Sequence, residues 1–217
     1  YAGLVGKYAI ETWSRVPVEL DLAHEFRYRA PVIGPDTLVV SISQSGETMD
    51  TLMAVKYARE QGAKTLSICN TQGATIPRES DAVVYTHAGP EVAVASTKAF
   101  IAQMTALYVF ALHLGRVRGV LDPADAAVHV QELESIPAKI QRVLDEEQAH
   151  VEQLAHWMAD TRAVGDGGVG RRRQLDGELL QQFVDVVAVD IDGDGLRGLA
   201  GGEGERAGLG DVVAVTG

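Results

Sequence analysis

The chain has 217 residues, enough for one sizeable domain or two small ones, and 46% apolar with 23% charged residues suits a globular core. A net charge of −11 argues against a general nucleic-acid-binding surface; it leaves a phosphorylated small molecule open, because local amides and hydroxyls decide that. The single cysteine, Cys69, excludes an internal disulfide and a multi-cysteine metal site. No apolar run approaches the ~20 residues of a membrane span and no signal peptide is visible, so a cytoplasmic protein without a membrane partner is expected.

Tyr1 to Arg15 places Leu4, Val5, Tyr8, Ala9, Thr12 and Trp13 on one helical face, and Pro17 is expected to end the helix. Val16 to Leu22 alternates and predicts a short strand. Ala23 to Arg29 carries a helical turn, EFRYR, which reads equally as a partner surface or as a solvated turn with an internal ion pair. Pro31, Gly34 and Pro35 form the loop into the next strand.

Thr37 to Ile42 is a short, β-branched, mostly apolar run, as expected for a strand covered on both faces. Ser43-Gln44-Ser45-Gly46-Glu47-Thr48 follows with no apolar side chain, and helical spacing resumes at Met49. A strand feeding a helix through such a turn aims hydroxyls and N–H groups at an anion. The same residues also suit a plain polar turn with an N-cap. The helix runs from Thr48 to Gln61, with Gly62 at its C′ position. Lys64 to Cys69 predicts a buried strand, so Cys69 reads as a core residue rather than a nucleophile.

Residues 76–81 read as a polar connection and Ala82 to Thr86 as a strand. A loop from His87 to Ala95 opens a long helix, Ser96 to about Arg118. Lys98 is placed in its first turn, in an ion pair or in solvent, with a phosphate as the alternative. A further helix is expected from Asp122-Pro123 to about Leu144, and a last one from Glu147 to Asp160. Strands alternating with helices predict a parallel α/β sheet, whose ligands bind at the carboxyl ends of the strands. The turn at 43–48 and the loop before Ser96 both fall there. His24, His87, His113, His129, His150 and His156 show no metal spacing.

SQSGET after an apolar strand resembles the phosphate loop of the SIS (sugar isomerase) domain. EFRYR at 25–29, Ile68-Cys69-Asn70, PRESD at 77–81, AGPE at 88–91 and VASTKAF at 94–100 are similar to the isomerase half of glutamine–fructose-6-phosphate aminotransferases, collinearly from Tyr1 to about Val164. The resemblance implies an SIS-type three-layer αβα sandwich with a parallel, flavodoxin-like sheet over residues 1–164. It implies that Ser43, Gln44, Ser45 and Thr48 bind the phosphate of a hexose 6-phosphate, while Val94, through its backbone, and Ser96 contact the sugar. It implies no metal or organic cofactor, and a homodimeric parent that converts fructose 6-phosphate and glutamine to glucosamine 6-phosphate. The parent's amidase domain, which uses the glutamine, and the second SIS domain, which carries the acid–base residues, have no counterpart in this sequence. Catalytic residues therefore stay unassigned, and neither Glu47 nor Glu91 matches the family's base. A non-catalytic sugar-phosphate sensor and an inert gene fragment are the alternatives.

After Val164 the composition changes. Residues 165–217 hold 14 of the 23 glycines and no Pro, Lys or Ser, as a reading frame shifted within a GC-rich gene would. Asp190, Asp192 and Asp194 imitate the start of a calcium loop, but its twelfth position is Gly201 rather than Glu. The family also places a strand and a Cys-Gly-Thr-Ser loop ahead of the position of Tyr1. Without that strand, Val18–Leu22 and Thr37–Ile42 would flank a gap. Two Val-rich stretches of strand length, 183–189 and 211–216, are candidates to fill it or to extend the sheet edge, with Gly193 to Gly210 irregular.

Overall fold

The computed structural model describes residues 1–92, 96–157 and 211–216, with backbone alone for Trp157 and 211–216. Five parallel strands form one sheet in the order β1-β5-β2-β3-β4: β1 Val18–Leu22, β2 Thr37–Ser43, β3 Lys64–Cys69, β4 Ala82–Tyr85 and β5 Asp211–Thr216. The helices are α1 Ala2–Ser14, α2 Ala23–Phe26, α3 Met49–Glu60, α4 Thr75–Glu79, α5 Thr97–Val117, α6 Pro123–Glu134 and α7 Ile136–Trp157.

Strand periodicity sets the layers. Val40 and Ile42 of β2, with Leu66 and Ile68 of β3, meet Ile10 of α1 and Leu107, Phe110, Ala111 and Leu114 of α5. Val39, on the opposite face, meets Phe26 of α2 and Ala54 and Ala58 of α3. Leu52, Val55 and Ile76 join α3 to α4. The architecture is an αβα sandwich. Gly115 is needed where α5 crosses α1, because a Cβ there would lie 2.4 Å from the Trp13 carbonyl oxygen.

The gap flanked by β1 and β2 is filled by β5. Val18↔Val212 and Leu22↔Thr216 bound its ladder to β1, and Thr37↔Asp211 and Ile42↔Thr216 its ladder to β2. The second place in the sheet, which the resemblance gave to a strand ahead of Tyr1, is thus taken by 211–216. The other candidate, 183–189, and the glycines of 193–210 lie outside the described residues.

Four readings are corrected. Residues 76–81 are not a simple connection: α4 forms there because Pro77 suits a helix's first turn and Ile76 is buried beneath α3. The break expected at 144–147 falls at Ser135, and α7 runs unbroken through those positions. Pro137 has no N–H for the Leu133 carbonyl and its ring would clash there, so the helix must restart. α5 has the length and composition of a membrane span, contrary to the expectation that nothing approaches one. Here its apolar face packs on α1 and the sheet, with Lys98 in the first turn as expected and buried, so of its expected surroundings only solvent is ruled out. Arg29 of EFRYR pairs with Glu19 and Asp21 of β1, each at 2.5 Å, not within its own turn.

Candidate functional site

The carboxyl end of β2 is where the sheet opens. Leaving β2, the chain reverses over Ser43-Gln44-Ser45-Gly46-Glu47 and enters α3 at Thr48. Gly46 is left-handed at φ 69°, and a Cβ on it would lie 2.6 Å from the Ala74 Cβ and 2.7 Å from the Cys69 Sγ. Only glycine meets both demands. The Gly46 N–H donates to the Ser43 Oγ at 3.0 Å and the Glu47 N–H to the Ser45 Oγ at 3.2 Å. Each hydroxyl accepts within the turn and keeps its own proton to donate elsewhere.

The turn is anchored from outside. The Asn70 N–H donates to the Gln44 carbonyl at 3.2 Å and the Ile76 N–H to the Gly46 carbonyl at 2.9 Å. The Glu47 carboxylate accepts from the Thr75 N–H at 2.8 Å. The Thr75 hydroxyl and N–H, with Arg78 beside them, hold the Glu47 carboxyl below the usual carboxylate range. Behind the turn, burial pushes the Cys69 thiol up, which makes it a poor nucleophile.

A cleft of about 340 Å³ lies over this end of the sheet. Ser43, Gln44, Ser45 and Thr48 line one wall and Ser96 the other, with Phe100 and Gln103 following on α5. Tyr1, Ala2 and Ile42 complete the lining, and no charged side chain is among these residues. Val94 lies outside the described residues.

Thr48 and Ser96 both occupy N-cap positions, yet neither side chain caps its helix. Ser96 is left-handed, and the Glu91 carboxylate instead accepts from the Ala99 N–H at 3.2 Å. The first N–H groups of α3 have no carbonyl one turn back to bond, so they add partial positive charge beside the hydroxyls.

Sequence reading missed Gln103. It is 8% exposed and shares one α5 face with Ser96 and Phe100, at intervals of four and three residues. Its signal was a polar residue on an otherwise apolar stripe. Glu47 and Glu91, the carboxylates nearest the cleft in sequence, both bond backbone N–H groups. Among the described residues no group of His, Cys, Asp and Glu could hold a metal ion.

The SIS domain family model matches residues 1–113. The chain belongs to the SIS domain family. Over 164 residues this SIS domain is 69% identical to the glutamine–fructose-6-phosphate aminotransferase [isomerizing] of Leifsonia xyli subsp. xyli, covering 76% of this chain and 26% of that protein. It is 56% identical over 181 residues to the enzyme of the same name from Streptomyces coelicolor, covering 82% and 29%. The C-terminal domain of glucosamine-fructose-6-phosphate aminotransferase from Francisella tularensis matches with a TM-score of 0.70 at 38% identity, over 73% of this chain and 45% of that one. The SIS chain thus spans about a quarter of the length of the curated relatives it matches.

Proposed function

We propose that the cleft binds a hexose 6-phosphate and that this chain is the first SIS domain of a glutamine–fructose-6-phosphate aminotransferase. The observation that carries the reading is that Thr48 and Ser96 line one cleft, which has no charged side chain, while their hydroxyls cap neither helix. The phosphate takes donors from Ser43, Gln44, Ser45 and Thr48 and from the first turn of α3. Ser96 and the Val94 backbone take the sugar. A site built from neutral donors holds a dianion without a fixed counter-charge, which suits a ligand that must also leave.

On this reading the parent enzyme is a cytoplasmic homodimer that converts fructose 6-phosphate and glutamine to glucosamine 6-phosphate and glutamate for amino-sugar synthesis. No catalytic residue is assigned to this chain. Glu47 bonds the Thr75 N–H and Glu91 the Ala99 N–H, so neither is placed as the base that moves a proton between C1 and C2. The isolated chain is expected to make no glucosamine 6-phosphate from either glutamine or ammonia.

Titration calorimetry tests the binding claim. Wild type takes fructose 6-phosphate and not fructose. Ser45→Ala with Thr48→Ala removes two donors, each worth about 0.5–1.5 kcal/mol and more toward a charged phosphate, so affinity falls about tenfold or more. Equal affinity in wild type and the double variant would reject the assignment.

A further inference from the structure

We propose that Asn70 is a positioning residue that sets the sugar end of the cleft against its phosphate end; the inference rests on the cleft being a phosphosugar site. Asn70 lines no part of the cleft. It follows the carboxyl end of β3 and bonds the turn at 43–48 on one side and the chain leaving β4 on the other.

Toward the phosphate end, its backbone N–H donates to the Gln44 carbonyl at 3.2 Å. Toward the sugar end, its side-chain amide bonds the chain leaving β4 three times over. Oδ1 accepts from the Thr86 hydroxyl at 3.1 Å and from the Ala88 N–H at 2.8 Å, and Nδ2 donates to the Gly89 carbonyl at 2.8 Å. These bonds bracket His87 and end on Gly89, both left-handed at φ 50° and 68°. A non-glycine residue stays left-handed only where its surroundings fix it.

The linkage then reaches Ser96 through packing. Ala88 is 2% exposed and packs with Ala99 and Ala102 of α5. The Ala99 N–H donates to Glu91, which tethers the incoming chain to the same helix turn. Asn70 thereby fixes residues 86–89, those residues fix the start of α5, and the start of α5 carries Ser96.

The chemistry explains why an amide is needed. The position requires two acceptor lone pairs and an N–H donor on one planar group. Asp keeps the acceptors but sets an oxygen against the Gly89 carbonyl. Asn70→Asp therefore releases the sugar-end segment while leaving the backbone bond to Gln44 intact.

The test compares two ligands on the full chain by titration calorimetry: fructose 6-phosphate, which needs both ends of the cleft, and inorganic phosphate, which needs one. Asn70→Asp is expected to weaken fructose 6-phosphate by about tenfold or more beyond whatever it does to phosphate, which the added carboxylate repels as well. Thr86→Val removes one bond to the same amide and is expected to shift the ratio of the two affinities a few-fold in the same direction. Should Asn70→Asp fail to fold, Thr86→Val decides. An unchanged ratio in the folded variants, including an equal loss of both ligands, would overturn the positioning role while leaving the phosphosugar reading intact. Failure of wild type to bind either ligand would overturn that reading, and the proposal with it.

Discussion

Gly46→Ala tests whether the turn at the end of β2 is as tightly seated as its geometry requires. An alanine at φ 69° carries the left-handed penalty of about 1–2 kcal/mol. Its Cβ would sit 2.6 Å from the Ala74 Cβ and 2.7 Å from the Cys69 Sγ, and overpacking of this kind costs about 1–3 kcal/mol. The expected loss is therefore about 2–5 kcal/mol, a large share of a typical stability of about 5–15 kcal/mol. In urea, with a slope of about 1–3 kcal/mol per molar, the unfolding midpoint should fall by about 1 M or more. A second substitution separates the two causes. Ala74 is the N-cap of α4, where glycine is well tolerated, so Ala74→Gly alone should cost little. Combined with Gly46→Ala it should recover part of the loss, because it removes one clash but neither the φ penalty nor the sulfur contact. A Gly46→Ala loss under about 0.5 kcal/mol, or strict additivity of the two changes, would refute the reasoning.

Asp81 should give the fold an acid-sensitive component. Burial pushes its carboxyl up, but the Thr65 N–H and hydroxyl, each donating at 2.9 Å, outweigh that and with Arg59 and Lys64 leave it below its usual value. A depressed folded value means the stabilisation is present above the unfolded value near 3.9 and is lost as pH falls through the folded one. Wild type should therefore lose more stability below about pH 4 than Asp81→Asn does; parallel pH profiles from thermal melts would contradict this. Deleting residues 211–217 should strip the ladders from both β1 and β2 and leave buried N–H and C=O groups at about 1–3 kcal/mol each. The truncated chain should unfold or aggregate through that edge, and a cooperative monomeric melt at the wild-type temperature would show that β5 is dispensable.

The strands were legible because their apolar runs are short and β-branched, and the cleft was legible because six consecutive residues without an apolar side chain follow one of them. Asn70 as a hub was not, since its partners at 86–89 are brought to it by the β3–β4 pairing. Gln103 was overlooked because its helix reads as core throughout. The α6–α7 break was misplaced although Pro137 was visible, because helical periodicity continues on both sides of it. That β5 fills the gap was readable as one of two candidates; a Val-rich hexapeptide states that it wants a strand partner but not which.

The central claim is that the turn at 43–48 and the start of α5 form one phosphosugar site. An amide chemical-shift titration of the ¹⁵N-labelled chain with fructose 6-phosphate tests it most directly. The account predicts shifts concentrated at residues 43–51 and 96–99, with those of 43–51 reproduced by inorganic phosphate. Shifts elsewhere on the chain, or none at millimolar fructose 6-phosphate, would contradict it.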